Sequence, residues 1–226
     1  EWFRKAIAAG NTECMRDLGI LLADELDPPD LDGAQEWYRN AIAAGNTDAM
    51  RSLGILRASR LDPPDLDGAQ EWYRKAIAAG NTDAMIDLGN LRSRQGDKAG
   101  AVDAWRRALE SQRGSRESIA SAGFALAALE TLDGHKDEAR ALLEDVKASG
   151  FAIAAHCAAL LSRDEATRAK ARETLAAHDR DTDALNFLGL AAHEASDVTA
   201  ARTYWKRSAA ARDTVAPLLV HLTNGD

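Results

Sequence analysis

The stretch Glu36-Trp37-Tyr38-Arg39-Asn40-Ala41-Ile42-Ala43-Ala44-Gly45 decides the fold, because almost the same ten residues occur at 1–10 and again at 71–80. The interval is 35 residues, and positions 1–35 are identical to 36–70 at 27 of 35 places. A constant interval of about 20 to 50 residues is the signature of proteins built from stacked structural repeats. The chain is therefore predicted to be a repeat protein.

The first half of each repeat is predicted to be an amphipathic helix. Asp32, with Gln35 three residues later, has the arrangement of a capping box at a helix start. Gly45 suits the helix end, because glycine accepts left-handed backbone geometry without a steric cost. Apolar residues in between recur at the helical spacing i, i+3, i+4, i+7, i+8, namely Ala34, Trp37, Tyr38, Ala41 and Ile42.

The second half of each repeat is predicted to be another helix. Asn46 or Thr47 caps its start, and apolar residues at helical spacing continue to about Arg60. Pro63 and Pro64 then stop the helix, because proline has no amide hydrogen to donate. The unit is thus helix, tight turn, helix, proline loop.

The later sequence drifts but keeps this frame, which predicts an all-α solenoid of stacked helix-turn-helix repeats with about fourteen helices. The predicted helices are 1–9, 12–25, 33–44, 47–60, 68–79, 82–95, 98–111, 115–131, 135–149, 151–163, 165–177, 181–194, 197–210 and 213–222. We expect one domain over 1–226, with repeats at about 1–35, 36–70, 71–102, 103–138, 139–168, 169–200 and 201–226.

Two recurring features are predicted to serve packing between repeats. The tryptophans lie on the apolar stripe of their helices, at Trp2, Trp37, Trp72, Trp105 and Trp205. The second is the Leu53-Gly54 pair, in which a residue without a side chain lets neighbouring helices approach closely.

Charge and composition narrow the classes of partner. The chain has 28 Lys and Arg against 36 Asp and Glu, a net charge of −8, which argues against nucleic acid because binding it requires many basic contacts to phosphate. No run of 18 apolar residues is present, so no membrane span is expected. Cys14 and Cys157 are predicted to be small, unpaired hydrophobic residues in a reducing compartment, which favours the cytoplasm.

The carboxylates of Asp27-Pro28-Pro29-Asp30-Leu31-Asp32 suggest a calcium loop, but their spacing is wrong. Placing Gly33 at loop position 6 puts Pro28 at position 1 and Arg39 at position 12, where oxygen ligands are required. The five histidines are scattered without a second ligand at i+3 or i+4, so no zinc motif results. We predict no catalytic, cofactor-binding or metal-binding residues, and we predict that the protein is not an enzyme.

The repeat resembles the Sel1-like branch of the tetratricopeptide repeat (TPR) family. The resemblance rests on Leu53-Gly54, Ala34, Trp37-Tyr38, Lys75-Ala76 and the closing Gly45. The chain departs from the family pattern in its Asp-Pro-Pro-Asp-Leu-Asp-Gly loops and in having no cysteine pair in each repeat. An intracellular adaptor is the nearer analogue.

The resemblance implies a right-handed superhelix whose concave wall is formed by the Leu-Gly helices. Carried over position by position, the wall comprises Glu13, Arg16, Ile20, Asp48, Arg51, Ile55, Asp83, Ile86, Asn90, Glu117, Ala120, Phe124, Ile153, His156, Leu160, Asp183, Asn186, Leu190 and His193. Acidic residues recur there beside apolar ones, which suits an extended or helical peptide carrying Lys or Arg among hydrophobic residues. The same charges also suit a wall that is merely solvated.

The leading prediction is a non-catalytic scaffold or adaptor that binds a basic or amphipathic peptide or a partner domain in its concave groove. One alternative is a sensor or regulatory arm of a larger multidomain protein, because the chain begins in mid-repeat without a methionine. Another is a homo-oligomeric scaffold that associates through its repeat ends.

Overall fold

The computed structural model describes residues 7, 10–211 and 213–223, and all regular structure in these residues is helical. The thirteen helices are α1 (Thr12–Asp24), α2 (Leu31–Ala43), α3 (Thr47–Ser59), α4 (Leu66–Ala78), α5 (Asp83–Arg94), α6 (Lys98–Ser111), α7 (Arg116–Leu132), α8 (Lys136–Ala148), α9 (Ile153–Leu160), α10 (Glu165–Ala176), α11 (Thr182–Glu194), α12 (Val198–Ala210) and α13 (Ala216–Thr223). Each matches a predicted helix to within three residues at either end. The remaining predicted helix, 1–9, lies outside the described residues apart from Ile7.

The start of α2 differs from the capping box that we predicted. Asp30, not Asp32, is the cap, and its side chain accepts a hydrogen bond from the Gly33 amide at 2.9 Å. Asp65 caps α4 in the same way, with Gly68 as donor at 2.9 Å. Asp32 instead lies in the first turn, where a negative charge interacts favourably with the helix dipole.

The turn between α2 and α3 is as predicted. Gly45 has a φ of +92°, a left-handed conformation that ends α2 without a clash. Asn46 then caps α3 by accepting a hydrogen bond from the Ala49 amide at 2.9 Å. Because only three residues separate the two helices, they pack as an antiparallel pair.

The contacts divide the described chain into two compact units, unit 1 up to Leu91 and unit 2 from Arg92, with the boundary inside α5. In unit 1 the core is built around one tyrosine in each repeat, Tyr38 and Tyr73, both 3% exposed. Trp72 is half-buried and packs against the Tyr38 cluster, whereas Trp2 lies outside the described residues. One domain over 1–226 remains a prediction.

The glycine of the Leu-Gly pair permits this tyrosine packing. A Cβ atom added at Gly54 would lie 2.6 Å from Cε1 of Tyr73, and one at Gly19 would lie 2.5 Å from Cε1 of Tyr38. Carbon atoms pack no closer than about 3.5 Å. Any side chain here would therefore separate the helices, which confirms the close approach predicted for Gly54.

Unit 2 has a filled interior. In α7 every residue from Ala122 to Leu129 is buried, and in α11 every residue from Ala184 to Leu190 is buried. The helices α7 and α11 contact each other, and α9 also contacts α11. The Ser93 hydroxyl, near the end of α5, donates to the carbonyl of Thr214 at 2.6 Å, just before α13. The inner helices of unit 2 thus pack on one another.

Trp105 and Trp205 occupy the core of unit 2, at 0% and 1% exposed, as predicted for packing between repeats. Within the part of the chain that the structure describes, no helix combines the length and the apolar character that crossing a membrane requires.

Candidate partner-binding groove

Unit 1 contains an open groove of about 420 Å³ along the inner helices α1, α3 and α5. Tyr38 and Leu56 lie among its lining residues. Six of the predicted wall residues also line it, namely Arg16, Ile20, Asp48, Arg51, Ile55 and Asp83. These six residues therefore share one concave surface of unit 1, and their role in binding a partner stays a prediction.

Two isoleucines supply the apolar surface of this groove. Ile20 is 36% exposed and Ile55 is 37% exposed, and they occupy the same position in successive repeats. Each lies four residues after an arginine, Arg16 or Arg51, so each shares a helix face with that arginine. A large aliphatic side chain that recurs in a concave, polar-rimmed site is typical of a surface that binds a partner.

Arginine and aspartate side chains of neighbouring repeats form ion pairs along the groove. Arg16 Nη1 lies 3.5 Å from Asp48 Oδ2, and Arg51 Nη1 lies 3.8 Å from Asp83 Oδ2. In both pairs the aspartate follows the arginine by 32 residues. Arg51 Nε also lies 2.5 Å from Asp87 Oδ2. The predicted acidic positions Asp48 and Asp83 are thus partly neutralised.

The groove nevertheless keeps an excess of negative charge. A fourth ion pair, between Arg60 and Asp24, also lies on the groove lining, at 2.6 Å. Carboxylates outnumber guanidinium groups in the groove and its ion pairs: Asp17, Asp24, Asp48, Asp83 and Asp87 against Arg16, Arg51 and Arg60. The excess of carboxylates gives the groove a negative potential, which attracts positive charge.

Burial and charge fix the ionisation of two groups at the groove. Burial acts to lower the pKa of Arg51, but the Asp87 carboxylate outweighs this and raises that pKa. Burial, and then the charge of Asp24, raises the pKa of Tyr38 to about 12. At neutral pH Arg51 is charged and Tyr38 is neutral. Arg51 therefore forms ion pairs, Tyr38 packs in the core, and neither exchanges protons.

Three side chains at this site were not among the predicted wall residues, namely Asp17, Asp87 and Asn81. Asn81 donates from Nδ2 to Asp48 Oδ1 at 2.6 Å, which ties that carboxylate to the next repeat. The signal for the ion pairs was present, since Arg16 and Arg51 stand at a fixed distance before Asp48 and Asp83. Nothing in the spacing marks Asp87.

The other predicted wall residues fall outside the groove lining. In unit 1 Glu13 is exposed, Asn90 is half-buried and Ile86 is only 3% exposed. In unit 2 the buried ones are Ala120, Phe124, Leu160, Asn186 and Leu190. Ile153, His156, Asp183 and His193 are half-buried, and Glu117 is exposed. The His193 ring packs on Trp205, with 5.9 Å between ring centroids.

Three side chains in unit 2 lie close enough together to be considered as a metal site. The ligand atoms of Glu130, Asp133 and His135 lie within 4.8 Å of one another. Cations already bind it: Arg106 contacts Glu130 at 2.7 Å, and Lys98 contacts Asp133 at 2.6 Å. The hydrogen bond that His135 Nδ1 donates to Glu130 raises the pKa of His135. These contacts make the group a charged network on the protein surface.

The two cysteines are free thiols. Cys157 is fully buried, and burial raises its pKa well above the usual value, so the thiol stays protonated and unreactive. Cys14 is half-buried.

Three solved structures resemble the chain. One is c5321, a protective antigen present in uropathogenic Escherichia coli strains and displaying an SLR fold, with a TM-score of 0.62 at 20% identity over 95% of this chain and 48% of that one. The second is YrrB, a TPR protein with an unusual peptide-binding site, with a TM-score of 0.50 at 18% identity over 98% of both chains. The fold is that of the Sel1-like and TPR repeats.

A Sel1 repeat protein from Oxalobacter formigenes is also similar, with a TM-score of 0.44 at 15% identity over 98% of this chain and 90% of that one. The chain spans about half the length of c5321. No protein-family model matches it, and no curated protein matches it. At these identities the likeness shows the Sel1-like and TPR fold, as the repeat motif predicted, and no more.

Proposed function

We propose that the protein is a non-catalytic scaffold and that the groove of unit 1 binds a peptide segment of a partner protein. The observation that carries this proposal is the exposure of Ile20 and Ile55 in one concave surface. Leaving about a third of each of these aliphatic residues in water costs stability that burial would recover, at about 25 cal/mol for each Å². A partner that covers them recovers it on binding.

The partner that fits is an amphipathic segment with Lys or Arg beside its apolar residues. Its apolar side chains cover Ile20 and Ile55, and its basic groups approach the excess carboxylates. Asp48 is the most accessible of these, because its side chain is 58% exposed despite its contact with Arg16. Arg16 and Arg51 restrict the charge pattern that the groove accepts, since a fully basic segment meets them as like charges.

The structural neighbours support this proposal at the level of fold. YrrB is described as having a peptide-binding site, and it has the same repeat architecture over nearly the whole chain. The ion-paired groups and the neutral Tyr38 of the present groove are arranged to hold a ligand. We therefore propose binding as the role of this surface.

The test is a selection of random peptides displayed on phage against the immobilised chain, followed by calorimetric titration of the enriched peptides. Ile55→Asp puts a charge on the apolar surface, and we expect it to weaken binding at least about tenfold. Val198→Asp is the matched control, since Val198 is also exposed, at 46%, but belongs to unit 2.

Charge is tested with Asp48→Lys and Asp83→Lys in the same titrations. Both should weaken binding of the selected peptides that carry Lys or Arg. The proposal fails if no peptide is enriched. It also fails if the enriched peptides bind the Ile55→Asp and Val198→Asp variants equally well.

A further inference from the structure

The packing of α1 on α3 sets the distance between Ile20 and Ile55. The two isoleucines occupy the same position in successive repeats, and the two inner helices that carry them contact each other. Packed helices have axes about 8–10 Å apart, so equivalent side chains on them are separated by about the same distance. A ligand that covers both isoleucines must therefore present two apolar side chains about 8–10 Å apart on one face.

This distance discriminates between the conformations that a bound peptide can adopt. In a β-strand, residues on one face are two or four positions apart, about 6.6 or 13.2 Å, and neither distance matches. Polyproline II makes one turn in three residues and rises about 9.3 Å, so residues i and i+3 lie on one face at the required distance. In an α-helix, residues i and i+7 lie on one face about 10.5 Å apart. Two conformations therefore reach both isoleucines.

The size of the groove favours polyproline II over the α-helix. The groove has a volume of about 420 Å³. Residues i to i+7 of a helix that is about 10–12 Å across with its side chains occupy about 900–1,400 Å³. In polyproline II the same reach needs only residues i to i+3, half as many. More of the shorter segment therefore lies inside the groove.

Asp48 also favours a ligand whose backbone amides are free. Its carboxylate accepts hydrogen bonds from Asn81 Nδ2 at 2.6 Å and from Arg16 Nη1 at 3.5 Å, and its side chain is 58% exposed. A carboxylate has about four lone-pair positions, so it can accept further bonds. Polyproline II has no internal hydrogen bonds, whereas an α-helix leaves only the amides of its first turn free. Asp48 can thus bond to the backbone of an extended ligand.

We propose that the groove of unit 1 selects a polyproline II segment with two apolar residues three positions apart and a Lys or Arg between them. The two apolar side chains cover Ile20 and Ile55. The basic side chain approaches the carboxylates that line the groove at Asp24 and Asp48. Polyproline II is a major conformation of unbound peptides, so binding in this form loses little conformational entropy.

This inference rests on the proposed function, because it names the partner class of the same groove, but the two fail in different ways. Peptides selected on phage that need Ile55, yet have no three-residue spacing of apolar residues, would leave the proposed function standing and overturn this inference. If selection enriches no peptide and the designed peptides described next do not bind either, both are wrong.

The experiment is a calorimetric titration of the full chain with synthetic peptides of one composition. Each contains two Leu and one Lys between them, with Pro and Gln at the other positions, and the leucines stand at i and i+2, i+3 or i+4. A further peptide carries the same Leu and Lys residues in an Ala-rich helical host, with the leucines at i and i+7. The variants are Ile20→Ser and Ile55→Ser, and Val198→Ser is the matched control, since Val198 is 46% exposed in unit 2.

We expect the i, i+3 peptide to bind at least about tenfold more tightly than each of the others. This preference should disappear in Ile20→Ser and in Ile55→Ser and persist in Val198→Ser. The inference is overturned if the i, i+3 peptide does not bind, if the spacing makes no difference, or if the helical peptide binds best. It is also overturned if the preference survives in both isoleucine variants. Circular dichroism checks the folding of each variant, and the comparison of peptides on the parent chain needs no variant.

Discussion

At the scale of single residues, the fold depends on glycines, because these positions have no room for a side chain. Gly54 faces the ring of Tyr73, and Gly19 faces the ring of Tyr38, at distances that leave no room for a Cβ atom. The sequence alone predicts that Gly54 allows a close approach, because Leu-Gly recurs with the repeat. It does not identify Tyr73 as the neighbour, since the crossing of the helices decides which ring is reached.

Gly54→Ala should therefore lower the free energy of unfolding by about 1–3 kcal/mol, through overpacking against Tyr73. In an unconstrained helix the same change is stabilising by about 1 kcal/mol, so the sign itself is diagnostic. Urea denaturation measures it, with the exposed Ser59→Ala in the same helix as control. A Gly54→Ala variant as stable as the parent would contradict this packing.

Asp183 predicts an unusual dependence of stability on pH. Its pKa is raised in the folded chain, so the folded state binds this proton more tightly than the unfolded state does. The resulting stability is complete below the unfolded pKa of about 3.9 and is lost as pH rises through the folded pKa.

Asp183→Asn should thus be more stable than the parent at about pH 8, and the difference should shrink at about pH 4.5. Among the described residues, the titratable groups that interact electrostatically with Asp183 are Asp181, Asp213 and the neutral Cys157. Urea midpoints at the two pH values test this, with Asp179→Asn as control. A stability difference that is the same at both pH values argues against it.

At the scale of helices, the sequence predicts which segments are helical far better than how each begins. All thirteen described helices were expected, because the apolar spacing and the Gly and Pro punctuation agree. The cap of α2 was misplaced at Asp32. Asp30 and Asp32 are both good caps, and only the backbone after Pro28-Pro29 decides between them.

The caps Asp30 and Asp65 allow a matched comparison in nearly identical repeats. Asp65 also contacts Arg57 Nη1 at 2.5 Å, whereas the residue 35 positions before Arg57 is Leu22. The backbone bond to Gly68, more than Arg57, lowers the pKa of Asp65.

Asp30→Ala should cost about 1 kcal/mol of stability through loss of the cap. Asp65→Ala should cost a few tenths of a kcal/mol more, because a half-exposed ion pair is lost as well. Denaturation at pH 7 compares the two. The excess should disappear in an Arg57→Ala background, and an excess that remains there contradicts the assignment to Arg57.

At the scale of the whole chain, the predicted wall residues have different surroundings in the two units. In unit 1 six of them, Ile20 and Ile55 included, line the groove. In unit 2 the interior is filled by α7 and α11, so Phe124 and Asn186 lie in the core. The sequence does indicate that α7 is buried on all sides, since 118–129 contains no charged residue and so has no face suited to water. Aligning the repeats does not reveal this burial, because alignment assigns every inner helix the same environment.

The net charge of −8 acts on association with a basic peptide over the whole molecule. Raising the salt concentration from about 0.05 M to about 0.5 M should slow association severalfold and change dissociation little, because in the proposed complex Ile20 and Ile55 hold the peptide through apolar contacts. Stopped-flow fluorescence separates the two rates. An effect confined to dissociation would count against this division.

A cytoplasmic location and self-association through repeat ends stay predictions.

The near-identity of the first two repeats makes the array extensible. Duplicating 36–70 in frame adds a further copy of Gly54 and of Tyr38. The added hairpin can therefore pack on its neighbour through the same glycine–tyrosine contact. Each duplication lengthens the groove by about 10 Å and adds one isoleucine, two arginines and one aspartate to its lining. A chain with more copies of the repeat would thus present a longer groove.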